Sequence, residues 1–266
     1  MSKGRVIVVT SGKGGVGKTT TTANIGAALA NLGANVCLVD MDIGLRNLDI
    51  LMGLENRVVY NLVDVIEGTC KLKQALIKDK KLPNLCLMPA AQTRDKTAVN
   101  AEQCEKLITD LAELFDFVVV DCPAGIESGF QNSISAADEA IVVVTPEMSS
   151  VRDADRIVGL LESKKDSLKE YRLIVNRLKP DMVAANNMMS VDDVIEILSL
   201  KLLGVVPDDE DVVISTNKGE PISLSTSKLA GQAYRNIARR LLGEEVELLK
   251  IPSKKGFVGK LKALFS

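Results

Sequence analysis

Gly12-Lys13-Gly14-Gly15-Val16-Gly17-Lys18-Thr19 is the stretch that decides the fold of this 266-residue chain. It follows the apolar run Val6-Ile7-Val8-Val9 and precedes a helix-like segment from Thr20 to Leu32. A strand, a glycine-rich loop and a helix in this order form the context of a phosphate-binding P-loop. Glycines let successive backbone N–H groups point at phosphates, and the helix N-terminus adds a favourable dipole.

Each residue of this loop therefore has a predicted role in binding a nucleotide. Lys18 would reach the β- and γ-phosphates, and the Thr19 hydroxyl would face a magnesium site. The predicted phosphate contacts are Gly12, Lys13, Gly14, Gly15, Val16, Gly17, Lys18, Thr19 and Thr20.

Strand-like and helix-like segments alternate along the rest of the chain. The predicted strands are Val6 to Val9, Val36 to Val39, Leu85 to Met88, Phe117 to Val120, Ala140 to Val144, Arg172 to Val175 and Leu202 to Val206. The predicted helices are Thr19 to Leu32, Ala101 to Phe115, Ser150 to Ser163, Val191 to Leu198 and Thr226 to Leu242. This order predicts an α/β fold, a doubly wound and mostly parallel sheet flanked by helices, as in P-loop NTPases. We expect one domain over residues 1–250 and a separate tail over residues 251–266.

Composition excludes several kinds of chemistry. The chain has no histidine, which removes the usual general base and most zinc and haem sites. Its five cysteines include no C-x-x-C pair and suit free thiols in a reducing cytoplasm. The first apolar run is too short for a signal peptide, and no apolar stretch approaches the length of a membrane span.

Two apolar runs end in an aspartate that suits a magnesium site. Val36 to Asp40 is one, and Val118 to Asp121 is the other. At the carboxyl end of a strand, such a carboxylate can orient Mg²⁺ or its waters, which is the Walker B arrangement. Taken alone the pattern is often just the start of a loop. Combined with a P-loop it becomes a strong signal, and Thr19, Asp40 and Asp121 are the predicted metal residues.

The position of Lys13 narrows the class of P-loop. This lysine follows the first glycine, and the run from Lys13 to Thr19 resembles the deviant Walker A motif of the MinD/ParA/nitrogenase iron-protein class. In that class the lysine crosses into the nucleotide site of the partner subunit. The resemblance implies a homodimer that closes around two ATP molecules, in which Lys13 would act in trans like an arginine finger.

The resemblance to the MinD family extends over nearly the whole chain. Asp40-x-Asp42-x-Gly-Leu-Arg-Asn-Leu-Asp49 resembles the switch I of that family, and Asp121-Cys-Pro-Ala-Gly-Ile-Glu127 resembles its switch II. The family implies hydrolysis of ATP with Mg²⁺, with Lys13, Lys18 and Asp42 as catalytic residues and Asp42 positioning the attacking water. The lack of histidine agrees with this, because a carboxylate must then orient the water.

The base-binding residues are also implied by the resemblance. In the family an asparagine at the position of Asn176 contacts adenine, and a stretch such as Pro207-Asp208-Asp209 lines the other side; the predicted contacts are Asn176, Arg177, Pro207 and Asp209. The guanine signature Asn-Lys-x-Asp is missing, since Asn176 is followed by Arg177-Leu178-Lys179. This favours ATP over GTP. The alternative is that Asn176 only starts a turn.

The tail differs from the rest of the chain in composition. No acidic residue follows Glu247. On a helix the apolar residues of the tail would share one face, bordered by lysines, which is typical of an interfacial helix on an anionic membrane. The alternative is a helix that packs on the body of the protein or binds a partner. The predicted membrane residues are Phe257, Val258, Lys260, Leu261, Lys262, Leu264 and Phe265.

Partners follow from the family as well. MinD proteins help to place the bacterial division septum, recruit the division inhibitor MinC to the membrane, and are regulated by MinE or another topological factor. By resemblance Arg46, Asn47, Asp153 and Asp155 would contribute to partner binding, although such residues also suit a solvated charged face. The chain is expected in the cytoplasm, and on the inner face of the membrane when it holds ATP.

Other functions fit parts of the sequence. A ParA-type DNA-partition ATPase would need a basic surface, which a net charge of -2 does not suggest. A metal-cluster ATPase like the nitrogenase iron protein would need paired cysteine ligands, and no spacing supports them. A non-catalytic ATP-binding scaffold, and a flagellar-number regulator of the MinD-like type with its own amphipathic tail, stay open as alternatives.

Overall fold

The computed structural model describes residues 3–95, 98–126, 128–163 and 168–252. Its strands are β1 (Arg5–Thr10), β2 (Val36–Asp40), β3 (Ile77–Lys78), β4 (Leu85–Met88), β5 (Phe117–Asp121), β6 (Glu139–Val144), β7 (Glu170–Leu178) and β8 (Lys201–Pro207). Its helices are α1 (Lys18–Asn31), α2 (Leu48–Leu51), α3 (Leu62–Ile66), α4 (Leu72–Ala75), α5 (Ala101–Ala112), α6 (Ser128–Ile134), α7 (Met148–Glu162), α8 (Pro180–Ala184), α9 (Val191–Leu198), α10 (Glu210–Asn217) and α11 (Leu229–Leu241).

The strands form one sheet with the order β3-β4-β2-β5-β1-β6-β7-β8. Every pair is parallel except β3 with β4. The predicted doubly wound, mostly parallel sheet is confirmed. The first strand shows why its sequence is a continuous apolar run: Val6 and Val8 pack in the core on one face, and Ile7 and Val9 pack in the core on the other.

Each face of the sheet carries its own helical layer. Helices α1, α2 and α11 contribute to the core on one face, and α3, α5, α6, α7 and α9 contribute to the core on the other. Helix α1 is buried along most of its length, because the sheet, α2 and α11 surround it. Its Ala-rich sequence suits this position, since small side chains allow close packing on several sides.

All seven predicted strands and all five predicted helices are present, with bounds that differ by a few residues. Helix α5 ends at Ala112 rather than Phe115, and α11 begins at Leu229 rather than Thr226. Strand β3 and the short helices were not predicted. Strand β3 has two residues, and the missed helices other than α10 have four to seven, which is less than two helical turns and too short for a helical hydrophobic period to repeat. These short elements depend instead on caps and tertiary contacts, such as the capping box of Asn61 and Asp64 at α3.

The residues after α11 cross the edge of the sheet. We call residues 244–252 the strap. Its Leu249 packs on the core that contains α1 and α11, whereas Ile251 packs on the core that contains α7 and α9. The guanidinium of Arg240 joins the strap to β8. It donates to the Leu203 carbonyl of β8 at 3.0 Å, and to the Val246 and Glu247 carbonyls of the strap at 2.9 Å and 2.7 Å. The strap therefore passes around edge strand β8 in a fixed position.

Within the described residues, no helix has both the length and the apolar character needed to span a bilayer. The five cysteines are free thiols, as predicted. The predicted membrane residues of the tail, 257–265, lie outside the described residues, so the division of the chain at residue 251 stays a prediction.

Candidate nucleotide-binding site

The glycine-rich loop lies between β1 and α1 at the carboxyl edge of the sheet. Gly15 and Gly17 have φ values of +79° and +98°, a region that other residues rarely adopt. Gly17 also has no room for a side chain, because a Cβ would clash with the side-chain amide of Asn176. The Asn176 amide nitrogen donates to the Val16 carbonyl at 2.8 Å and so fixes the loop from the neighbouring strand. The loop is thus shaped for close approach of an anion to its backbone.

The two lysines of the loop have opposite environments. Lys18 is only 8% exposed, although it is charged. Lys13 is exposed, and its Nζ donates to the Ser149 hydroxyl at 3.2 Å, near the start of α7. A buried lysine needs an anionic partner, whereas the exposed one faces solvent at the rim of the site.

Helix α7 packs directly on the loop. A Cβ at Gly12 would clash with the carbonyl of Asp153, so glycine is required for the two backbones to approach. Asp153, whose backbone makes this contact, is also one of the two predicted partner residues on α7. Its side chain is half-buried, and that of the other, Asp155, is exposed. The phosphate-binding loop therefore packs directly against the helix that carries these two predicted partner residues.

Two aspartates lie side by side behind the loop. Asp40 and Asp121 end the adjacent strands β2 and β5 and are paired in register. Burial and the nearby Asp40 raise the pKa of Asp121 to about 8, although hydrogen bonds from Thr19 and Thr22 and the charge of Lys18 oppose the shift. Burial also raises the pKa of Asp40 to about 6, against the backbone hydrogen bonds that it accepts. Without a cation, these two carboxyl groups resist carrying two negative charges.

Asp40 also organises the loop that follows β2. Its Oδ1 accepts from the Asp42 backbone N–H at 2.9 Å, and its Oδ2 accepts from those of Asn47 and Leu48 at 3.1 Å each. Both oxygens of Asp40 thus accept from backbone N–H groups. Within the described residues, the hydrogen bonds to the Asp121 carboxyl group come from the hydroxyls of Thr19 and Thr22. Asp121, with Thr19 beside it, is therefore the more direct candidate for a metal, and Asp40 supports it from behind.

This donor set fits Mg²⁺. The ion prefers hydroxyl and carboxylate oxygens together with waters and phosphates. A buried carboxyl group with a raised pKa next to a second one is the arrangement that a divalent cation would relieve. Thr19 and Asp121 would hold it, and the exposed backbone of Gly14 and Gly15 is accessible to phosphates.

The loop between β2 and α2 brings the predicted water-positioning residue close to these groups. Asp42 is half-buried and lies two residues after Asp40. Arg46, with φ of +44°, forms an ion pair of 3.0 Å with Asp49, whose side chain is fully buried. Asn47 is exposed at the N-terminus of α2. The side chain of Arg46 is therefore engaged by a buried carboxylate, and Asn47 is the more accessible of the two to a partner.

The predicted base contacts come together at the ends of β7 and β8. Leu178 pairs with Pro207, and the Asp208 backbone N–H donates to the Leu178 carbonyl at 3.0 Å. This brings Asn176 and Arg177 near Pro207 and Asp209. Asn176 is buried and Arg177 is exposed with φ of +58°, while Asp209 caps α10 by accepting from the Asp211 N–H at 3.0 Å.

Three residues of the site were missed by the sequence analysis. Thr22 donates from its hydroxyl to Asp121 at 3.2 Å, Ser149 accepts from Lys13, and Asp49 receives Arg46. Thr22 had a usable signal, since it lies three residues after Thr19 and hence on the same side of α1. The contacts of Ser149 and Asp49 depend on tertiary packing.

Comparisons with known proteins agree with this geometry. Residues 7–222 match the family model of the CobQ/CobB/MinD/ParA nucleotide binding domain. The septum site-determining protein MinD of Bacillus subtilis is 56% identical over 264 residues, which cover 98% of each chain.

Solved structures give the same result. The chain is similar to the MinC:MinD cell division protein complex of Aquifex aeolicus, with a TM-score of 0.86, 48% identity, and coverage of 93% of this chain and 100% of that one. It is also similar to the MinD of Pyrococcus horikoshii complexed with Mg-ADP, with a TM-score of 0.80, 29% identity, and coverage of 89% and 95%.

Proposed function

The chain belongs to the MinD branch of the CobQ/CobB/MinD/ParA nucleotide-binding family, and from this premise we propose that it is a septum-placing ATPase that recruits a division inhibitor to the membrane. ATP with Mg²⁺ is the nucleotide that we assign to it. The relative from Aquifex aeolicus is in complex with MinC, and the one from Pyrococcus horikoshii is in complex with Mg-ADP.

The chemistry follows from the groups around the loop. Lys18 and the backbone N–H groups of the loop bind and orient the phosphates, and Asp42 orients the attacking water. Bound magnesium, held by Thr19 and Asp121, would supply neutralisation of phosphate charge. Phosphoryl transfer depends mainly on positioning and on stabilising charge, so these groups are of the right kind.

The observation that carries the proposal is the difference in burial between the two lysines of the loop. Lys18 serves its own site from a buried position. Lys13 is exposed at the rim, where its Nζ donates to the Ser149 hydroxyl. An exposed lysine on a phosphate loop suits a role across an interface. We therefore propose an ATP-dependent homodimer in which Lys13 enters the partner's site.

Dimerisation would also explain how ATP controls attachment to a membrane. Each large apolar side chain of the tail contributes about 1.5–3 kcal/mol if fully buried, and each lysine adds about 1 kcal/mol near anionic lipid. Ordering the tail offsets much of this gain. One tail is then marginal, but two tails joined in a dimer gain by avidity.

Partners are proposed on the surface next to the nucleotide. Asn47, Asp153 and Asp155 lie on the switch loop and on α7, both of which contact the site, so a MinC-like inhibitor would meet a surface that responds to the nucleotide. A MinE-like or other topological regulator would act on the same dimer. The proposed location is the cytoplasm, with peripheral binding to the inner face of the membrane in the ATP state.

The first test concerns the lysine in trans. Lys13→Ala and Asp42→Ala should each abolish stimulated hydrolysis. In a mixed dimer, one of the two sites would combine an intact Asp42 with an intact Lys13 from the other chain. An equal mixture should therefore recover about a quarter of the normal rate, since half of random dimers are mixed and each has one complete site. A mixture as inactive as its components would refute the dimer mechanism.

The second test concerns the membrane. Full-length protein and a chain ending at Pro252 are sedimented with phosphatidylglycerol-containing vesicles in ATP and in ADP. We expect binding only for the full-length protein in ATP. Equal binding in both nucleotides, or binding without the tail, would contradict the proposed link between nucleotide and membrane.

A further inference from the structure

An apolar groove lies at the β8 edge of the sheet. Its volume is about 490 Å³. Strand β8, helices α8 and α9 and the strap form its walls. Its lining includes Val183, Val191, Asp192, Ile195, Val205 and Ile251. An apolar cavity of this size at the surface is suited to receive apolar side chains.

The strap brings the chain to this groove at a fixed place. Ile251 lines the groove, and residues 253–266, the rest of the predicted tail, follow it after Pro252. Because Arg240 anchors the strap, the tail starts beside the groove and needs no long linker to reach it. Joining two binding partners by so short a connection gives an effective concentration in the millimolar range.

The charges at the groove are complementary to those of the tail. Asp192 lines the groove, and Asp193 and Glu196 are exposed on the same short helix, α9. Residues 253–266 carry Lys254, Lys255, Lys260 and Lys262 and no acidic residue. The apolar residues and lysines of this segment are therefore complementary in character to an apolar groove with carboxylates at its border, and such complementarity favours association.

We propose that residues 253–266 dock in this groove when the protein is not on a membrane. The inference rests on the proposed function, in which the same tail binds lipid. Docking and lipid insertion use the same apolar strip, so they exclude each other. A docked tail therefore lowers the apparent affinity of the protein for lipid in proportion to the fraction of tails that are free. With nine in ten tails docked, the reduction would be about tenfold.

Hydrogen exchange tests docking without any membrane. The amides of α9 are compared in ADP between the full-length protein and the chain ending at Pro252. Docking predicts that removal of the tail accelerates exchange in α9 several-fold and leaves α5, which does not line the groove, unchanged. Equal exchange of α9 in the two proteins overturns the proposal.

A pair of matched variants tests the consequence for lipid. Val183→Asp places a charge inside the groove, and Val59→Asp makes the same change at an exposed position near β3, on the opposite edge of the sheet. With vesicles of phosphatidylglycerol and phosphatidylethanolamine in ADP, Val183→Asp should raise binding about tenfold and Val59→Asp should not. The added negative charge by itself would weaken binding to such vesicles, so an increase has no electrostatic explanation. Unchanged or lower binding by Val183→Asp would count against docking.

The outcomes separate docking from the proposed function. If the tail is needed for binding to vesicles in ATP but α9 exchanges equally with and without it, the membrane function stands and docking is wrong. If α9 is protected by the tail but vesicles are not bound in ATP, docking stands and the membrane function is wrong.

Discussion

Replacing Asp121 with asparagine should stabilise the protein in the absence of nucleotide and magnesium. In the folded state burial and Asp40 raise the pKa of Asp121 from 3.8 to about 8. A carboxyl group whose pKa is raised on folding holds a proton that the unfolded chain has released. The stability that it confers is therefore complete below pH 4 and is lost as the pH rises towards 8.

The size of this effect on the free energy of unfolding follows from the difference in bound protons between the folded and unfolded states. Between pH 6 and 8, above the pKa of Asp40 at about 6, one extra proton remains on the folded protein. Each pH unit in this window should then lower the free energy of unfolding by about 1.4 kcal/mol. The chain has no histidine, so the other ordinary side chains that begin to titrate in this window are the five cysteines, at its upper end. Because burial raises the pKa of the folded thiols, they add to the loss of stability near pH 8 in the parent and in the variant alike. Asparagine cannot ionise, and Asp121→Asn should be more stable than the parent by about 2–4 kcal/mol at pH 8, allowing for relaxation around the buried charge.

Urea unfolding at pH 6, 7 and 8 in EDTA, without nucleotide, measures this directly. The parent should lose stability along the series, and Asp121→Asn should lose much less. Asp138→Asn is a useful control because the shift of Asp138 has the opposite sign. Burial alone would raise the pKa of Asp138, but the hydrogen bonds from Lys169 and Val6 and the charge of Lys169 outweigh it and lower the pKa, so the contribution of Asp138 to stability is lost only in acid. A parent whose stability is constant or rises from pH 6 to 8 would refute the account of the buried pair.

Three further perturbations have defined outcomes. Gly12→Ala should destabilise the apoprotein by about 2–4 kcal/mol by forcing α7 away, whereas Gly14→Ala, whose Cβ would meet nothing closer than 4.0 Å, should cost less than about 1 kcal/mol in thermal unfolding. Arg46→Ala should cost about 3–5 kcal/mol because it leaves the buried Asp49 unpaired, and adding Asp49→Asn should restore much of that loss in the same assay. Thr22→Val should weaken magnesium-dependent binding of ATP, measured by calorimetry, by roughly tenfold through loss of one hydrogen bond to a carboxylate. Unchanged affinity would show that this hydroxyl is irrelevant to the site.

The sequence predicts those parts of the fold and site that depend on local pattern. Buried parallel strands are continuous apolar runs, and the P-loop joins one of them to α1, so both the sheet and the position of Lys18 could be predicted. The aspartates at the ends of β2 and β5 were predicted for the same reason, since carboxyl ends of parallel strands meet at one edge.

The remaining features depend on contacts between distant segments. The sequence pattern assigns Asp49 no role beyond its place in the switch I motif, yet its side chain is fully buried and paired with Arg46. Asn176 was predicted to contact the base, and the structure adds a contact with the Val16 carbonyl that no local pattern encodes. The strap has no hydrophobic periodicity that could predict its path. Its position depends on long-range hydrogen bonds from one residue, Arg240.

The strap also has a consequence for solubility. An open parallel sheet ends in a strand whose free N–H and C=O groups would pair with another chain, a common route to aggregation. On one side the sheet ends in β3, which is antiparallel and only two residues long. On the other side the strap crosses β8, and Arg240 occupies the Leu203 carbonyl. Both edges of the sheet are thereby protected from pairing with another chain. This protection matters for a protein that is proposed to accumulate at high density on a membrane surface.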